Sequence, residues 1–258
     1  MKRTPSFLNQ NQPLNTCMIM NDSVRDAIIT CRNAVFDGCD SFGIQIDRLP
    51  RELRTEANMT SIYKAMGNRP IYITNYRNGC NENKIPDDQL AEELLTYLSW
   101  GATLADVMGD YFCPSKDEIT YDEVAVEKQK ALIDRIHAMG KEVLMSSHTH
   151  RFMTAEEVLE LAKAHQARGA DISKIVAKGN TEAEEMENLR ITTLLKKELD
   201  IPFLFLSGGP HCKIHRTIGP MLGCNMWLTT QKHDKYSVSM QPVCRAIRTI
   251  ADNFNYDL

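Results

Sequence analysis

Apolar runs and segments with helical spacing alternate eight times along this chain, and that alternation limits the fold more than any other feature. The apolar runs read as strands at Leu14–Met20, Ser41–Ile46, Pro70–Asn75 and Thr103–Met108, then near Val143–Met145, Ala170–Val176, Pro202–Leu206 and Cys224–Thr229. Helical patterns follow them at Ser23–Phe36, Glu52–Met66, Pro86–Trp100 and Tyr121–Met139, then from Thr154 to Gly169, at Thr181–Leu199, Ile214–Leu222 and Met240–Asn253. No stretch rich in Pro, Gly or Ser divides the series. Strict β/α alternation over this length predicts an α/β fold, a single (β/α)8 TIM barrel. A doubly wound open sheet is the competitor, but no Gly-rich loop follows the first strand, where such a sheet would bind a dinucleotide. The expected domain plan is a polar, poorly packed lead-in at 1–13 and one barrel domain at 14–258.

Composition enters as a set of exclusions. The chain has 258 residues, enough for one large core, and its net charge of −4 with no basic stripe argues against nucleic acid as a partner. Its 8 cysteines are scattered and none has CxxC spacing, so reduced thiols are expected, not a disulfide framework or a zinc knuckle. His211, His215 and His233 lack a matching carboxylate spacing, and no metal is expected. The first residues carry positive charge but no apolar h-region, and no apolar run reaches membrane-spanning length. A cytoplasmic location follows as the expectation.

One segment breaks the pattern of apolar strands. Ala170-Asp171-Ile172-Ser173-Lys174-Ile175-Val176 places a lysine in the middle of a buried strand. Lysine is almost never fully buried without a partner or a purpose. Burial favours the neutral, nucleophilic amine, and such an amine attacks carbonyls to form a Schiff base. The preceding strand ends at Ser146-Ser147-His148, and a strand–helix–strand crossover makes the two strands parallel. Neighbouring strands lie about 4.8 Å apart, so His148 and Lys174 can face the same small volume, where a histidine moves protons. A lysine snorkelling from a strand end, with His148 capping a loop, is the bland alternative.

The barrel reading adds its own test, because barrel sites sit at the C-terminal ends of the strands. Those ends carry Asp47 and Arg48, Tyr76 and Arg77, Asp110, Ser147 and His148, then His211, His215 and Arg216, then Ser237 and Gln241. Taken singly, Arg77 and Arg216 read as surface arginines and Gln241 as a solvated side chain. Taken together, they converge on one mouth.

The sequence resembles the type I 3-dehydroquinate dehydratase family, most clearly over residues 141–241. Gly169-Ala170-Asp171-Ile172-Ser173-Lys174-Ile175 is similar to the family's GADI-x-K-I strand, which carries the Schiff-base lysine. Ser146-Ser147-His148 with Thr154 looks like its S-x-H segment. Arg216 before Gly219 resembles the arginine site for the substrate carboxylate. Ser237 and Gln241 match the first and last letters of the closing loop S-A-P-G-Q. Pro70 to Arg77 is similar to the third strand and its arginine. The resemblance implies the same barrel and a hydro-lyase of the shikimate pathway and aromatic amino acid biosynthesis. It implies no cofactor, a carboxylated cyclic ketone as the small-molecule partner, and room for a homodimer. Lys174 and His148 would be catalytic, with Arg77, Arg216, Ser237, Gln241 and Gln45 on the substrate.

The departures are specific. The family's second strand ends E-x-R-x-D, whereas this chain has Gly43-Ile44-Gln45-Ile46-Asp47. The Glu that follows the third-strand arginine is Asn81, and Ala-Pro-Gly is Val238-Ser239-Met240. The His148–Lys174 spacing is one residue short of the common pattern, which keeps His150 open as the base. The lost residues belong to the hydroxyl-binding end of the family pocket. A Schiff-base lyase or aldolase on another carboxylated ketone is therefore one alternative, and a non-catalytic metabolite-binding protein is another. Restoring Gly43→Glu with Gln45→Arg is expected to improve turnover of dehydroquinate.

Overall fold

The computed structural model describes residues 5–8, 10–82 and 85–253. Eight strands form one parallel sheet: β1 (Leu14–Ile19), β2 (Ser41–Gln45), β3 (Ile71–Thr74), β4 (Leu104–Met108), β5 (Glu142–His148), β6 (Ile172–Lys178), β7 (Phe203–Gly208) and β8 (Met226–Thr229). Each strand pairs with its sequence neighbour, and β8 returns to β1. At the remaining seam, the Asn225 N–H donates to Phe203 O at 2.8 Å, just before β8. The result is a nearly closed (β/α)8 barrel, as the alternation predicts.

The helices are α1 (Val24–Phe36), α2 (Glu56–Met66), α3 (Asp87–Ser99), α4 (Glu123–Ala138), α5 (Ala155–Ala167), α6 (Glu182–Glu198), α7 (Lys213–Leu222) and α8 (Cys244–Asn253). Their starts follow local chemistry. Ser23, Asp122 and Thr181 cap α1, α4 and α6 by accepting a backbone N–H from the first turn. Thr154 and Glu157 form a full capping box at α5, the kind of cap whose loss costs about 1 kcal/mol. Two starts differ most from the sequence reading. α2 begins four residues late because 3-10 turns at Ile46–Arg48 and Arg51–Leu53 occupy the exit of β2. α8 begins at Cys244 because the segment before it runs beside the barrel mouth, with Val243 bridged to Thr230.

Within the lead-in, Phe7 is anchored on the barrel. Phe7 is fully buried and meets Tyr72 edge-on at 6.5 Å. Its N–H donates to Glu142 Oε2 at 2.8 Å, and its carbonyl accepts from Asn225 Nδ2 at 3.1 Å. Both partners sit at strand starts, so Phe7 closes the N-terminal end of the barrel. A single aromatic among polar residues gave no periodic signal. The C-terminal end stays open, and the cavity lies there. No helix among the described residues is long and apolar enough to cross a membrane.

Candidate active site

The strand register decides what meets what. Ser146 pairs with Lys174, and His148 pairs with Val176 two residues further along. Because alternate residues share a face, Ser146, His148 and Lys174 all point into the barrel. A cavity of about 510 Å3 opens above them, with Lys174, His148, Arg216, Gln241, Gln45 and Arg77 in its wall.

Lys174 is buried, and its three ammonium protons have three oxygen acceptors. Nζ lies 3.0 Å from Tyr72 Oη, 2.6 Å from Tyr76 Oη and 3.3 Å from Asp106 Oδ2. Asp106, on β4, is the hub of this group. It accepts from Ser146 Oγ at 2.5 Å, from Tyr76 Oη at 2.6 Å and from Tyr72 Oη. Burial alone would push the Asp106 carboxyl up, but the Lys174 charge and these hydrogen bonds outweigh it and hold it below the usual range. Lys174 therefore sits against one carboxylate and two phenols.

His148 is oriented by a second carboxylate. Its Nδ1 lies 2.6 Å from Glu118 Oε2, and its backbone N–H donates to the same oxygen at 3.0 Å. Burial would raise the Glu118 carboxyl, but the contacts with His148 bring it below its ordinary value. An ionised Glu118 accepts a hydrogen bond from Nδ1–H, which leaves Nε2 as the unprotonated nitrogen of the neutral ring. Glu118 comes from the loop between β4 and α4 and holds a positive φ of 49°. Ser147 Oγ fixes that turn by donating to Glu118 O at 2.6 Å. A non-glycine residue in this region costs energy and persists only where its neighbours over-determine it. The Tyr76 ring stands edge-on to the His148 ring at 5.3 Å and so links the two groups. His150, also at a positive φ, lies exposed on the rim.

Arg216, at the start of α7, is 7% exposed and donates from Nε to Ser207 O at 2.6 Å. Among the described residues it has no ion-pair partner. Gln241 is equally buried, and its Oε1 has no partner among the described residues. A buried guanidinium without a counter-ion costs several kcal/mol and favours an incoming anion. Arg77 differs. It forms a two-pronged pair with Asp87 at 2.7 Å for both contacts and another with Asp110 at 2.8 Å. These contacts place it in the cavity wall with most of its donors already used. The structure does not bring Ser237 to the cavity: its hydroxyl turns back on Asp234, while Val238 and Met240 line the wall.

The wall between β1 and β2 is built differently. A Cβ on Gly43 would lie 2.2 Å from Met18 Sδ and 3.0 Å from Tyr72 Cδ1. Met18 and Tyr72 therefore occupy the space a larger residue would need. Gln45 reaches the cavity but spends its amide on Asp47 Oδ2 at 3.1 Å. Asp47 is fully buried, its Oδ1 has no partner among the described residues, and burial pushes its carboxyl up to about 6.

The profile of the type I 3-dehydroquinase family matches residues 16–252. The chain belongs to that family. Over 115 residues it is 29% identical to the 3-dehydroquinate dehydratase of Klebsiella pneumoniae, a match spanning 44% of this chain and 45% of that enzyme. The 3-dehydroquinate dehydratase of Geobacillus kaustophilus superposes with a TM-score of 0.79 at 16% identity, over 94% of this chain and 91% of that one. The type I enzyme of Clostridium difficile, solved with covalently modified comenic acid, gives 0.78 at 18% identity, over 98% of both chains. At such identities these structures show the shared barrel. The carboxyl transferase domain of Rhizobium etli pyruvate carboxylase also superposes at 0.70 with 14% identity, so the barrel alone does not select an activity.

Sequence reasoning placed Tyr76 at the mouth without joining it to Lys174, and it missed Tyr72, Asp106 and Glu118 as members of the lysine and histidine group. Asp106 carried a usable signal, a carboxylate inside the apolar run Leu104–Met108, which is the same anomaly that exposed Lys174. Glu118 carried none, because no pattern reveals a positive φ at a glutamate.

Proposed function

We propose that this protein is a Schiff-base dehydratase that converts 3-dehydroquinate to 3-dehydroshikimate. One observation carries the reading: an acceptor-bound Lys174, a His148 with its Nε2 free and an Arg216 without a counter-ion share a single cavity. Family membership makes 3-dehydroquinate the natural ketone.

Each residue then has a task. Lys174 condenses with the substrate ketone, and the protonated imine acidifies the neighbouring C–H. His148 Nε2 removes that proton to form an enamine, with Glu118 holding the opposite side of the ring. The β-hydroxyl leaves as water, taking the proton back from His148. Hydrolysis of the imine frees Lys174 and the product. Dividing one elimination into covalent stages lowers each barrier, and a placed acid–base group contributes about 10²- to 10⁴-fold. Arg216 grips the carboxylate through its planar fork and Gln241 assists it. The direct test is incubation with 3-dehydroquinate while the conjugated enone of the product is followed by ultraviolet absorbance. Appearance of the enone supports the reading, and its absence with folded protein would refute it.

A second reading has its own support. Met18 fills the space beside Gly43, and Met108 also lines the cavity. An apolar wall there suits a carboxylated ketone with fewer hydroxyls, handled by the same lysine chemistry. A panel of cyclic keto-acids ranked by kcat/KM separates the two.

A further inference from the structure

We propose that Tyr76 is the proton relay for making and breaking the imine, a role separate from the C–H chemistry of His148. The inference rests on the dehydratase reading and extends it to a residue that reading does not require.

Imine formation must balance its protons. An ammonium ion has three N–H bonds and the protonated imine keeps one. Forming the imine breaks the C=O bond, makes a C=N bond and releases the carbonyl oxygen as water. That water needs two protons, which is the number the nitrogen gives up. No outside acid or base is consumed, but a group must carry both protons from nitrogen to oxygen. It must touch Nζ and also face the substrate.

Three groups touch Lys174 Nζ: Tyr72, Tyr76 and Asp106. Tyr72 and Asp106 are almost fully buried, and neither lines the cavity. Tyr76 is partly open, lines the cavity and lies nearest, with Oη 2.6 Å from Nζ. In each transfer Tyr76 Oη accepts a proton from nitrogen and passes its own to the carbonyl-derived oxygen, so the phenol is regenerated. Burial and the Asp106 charge push the Tyr76 phenol well up, which keeps it a neutral phenol, and its hydroxyl turns from Asp106 to the substrate oxygen for each transfer. Asp106 remains a carboxylate beside a nitrogen that is cationic at the start and at the end. Hydrolysis runs the same path in reverse.

The test is a timed borohydride quench of the enzyme mixed with 3-dehydroquinate, with the reduced adduct read by intact mass, in ordinary and in heavy water. Tyr76→Phe keeps the ring and removes the relay atom. It should slow adduct formation roughly 10²-fold with KM little changed. The wild-type rate should fall in heavy water, and that isotope effect should vanish in Tyr76→Phe. The wild-type isotope effect needs no variant, so a misfolded Tyr76→Phe leaves the proposal exposed to refutation. Adduct formation at the wild-type rate in Tyr76→Phe overturns it. So does a slow variant that keeps the isotope effect, or a wild type without one. If the wild type gives no adduct at all, the dehydratase reading fails and the relay fails with it.

Discussion

The β3–β6 wall of the cavity and its β1–β2 wall are held by different forces. On the first, hydrogen bonds and charges fix every reactive atom: Lys174 on Asp106, His148 on Glu118, and Ser146 and two tyrosines on Asp106. On the second, shape does the holding, with Met18 pressed against Gly43 and Gln45 turned onto Asp47. The difference teaches how each wall responds to change. A hydrogen-bonded wall loses function when one atom is removed, because its partner is left unpaired. A packed wall resists an added atom, because neighbouring volume must move first. The proposed reacting groups lie where polar contacts are dense, and two of the departures from the family pattern, Gly43 and Gln45, lie on the packed wall.

The largest effect expected on the polar wall is at His148. His148→Ala should still form the imine but turn it over roughly 10²- to 10⁴-fold more slowly, measured by steady-state kinetics beside borohydride trapping. Loss of this kind in His150→Ala, with His148→Ala active, would move the base to the rim. Glu118→Gln keeps the size and removes the charge, and should cost about 1.5–3 kcal/mol of barrier through a misdirected ring.

Arg216→Ala comes next. Removing the charge that holds the carboxylate should raise KM by about 2–5 kcal/mol in binding terms, with a smaller change in kcat. Arg216→Lys should recover only part, because lysine lacks the planar fork. Equal KM values for the wild type and Arg216→Ala would place the carboxylate elsewhere.

The packed wall makes the opposite prediction. The expected gain in turnover from Gly43→Glu with Gln45→Arg requires the flexible end of Met18 to swing aside. Gly43→Glu alone should lower stability by about 1–3 kcal/mol, read by denaturant unfolding, and should not improve activity. Adding Met18→Ala should recover part of that loss by opening the space. A stable, more active Gly43→Glu variant would show that the wall yields, which would erase the contrast.

The smallest effect lies beneath that wall. Burial pushes the Asp47 carboxyl up to about 6, above the ordinary carboxylate range. A raised carboxyl binds its proton more tightly in the folded state, so it favours folding below about 4 and opposes it as pH rises through 6. Asp47→Asn should therefore raise Tm at neutral pH by roughly 2–4 °C, for about 1 kcal/mol, with little gain near pH 4. A pH-independent change would remove the buried charge from the account.

The barrel was legible because its signals are local and repeated: alternate apolar runs, and caps at Ser23, Thr154 and Thr181 that form as the residue types dictate. Lys174 and His148 were legible because each is out of place, one in an apolar strand and one at its neighbour's end. The hydrogen-bonded shell was harder to read. Tyr72 on β3, Tyr76 just after it and Asp106 on β4 meet Lys174 on β6 only after the sheet curls. Ser237 was chosen by its place in a motif. With Val238-Ser239-Met240 in place of Ala-Pro-Gly, the loop bonds that serine to Asp234 instead. Arg77 matched its motif as well, yet two aspartates beyond the reach of any short pattern hold it.

The central claim is that Lys174 carries the substrate as an imine. Borohydride reduction in the presence of 3-dehydroquinate, followed by proteolysis and mass mapping, tests it most directly. The account predicts one substrate-derived addition, on the peptide that contains Lys174, and none in Lys174→Met. Addition at Lys178 or Lys213, or an unmodified chain with folded protein and authentic substrate, would contradict it.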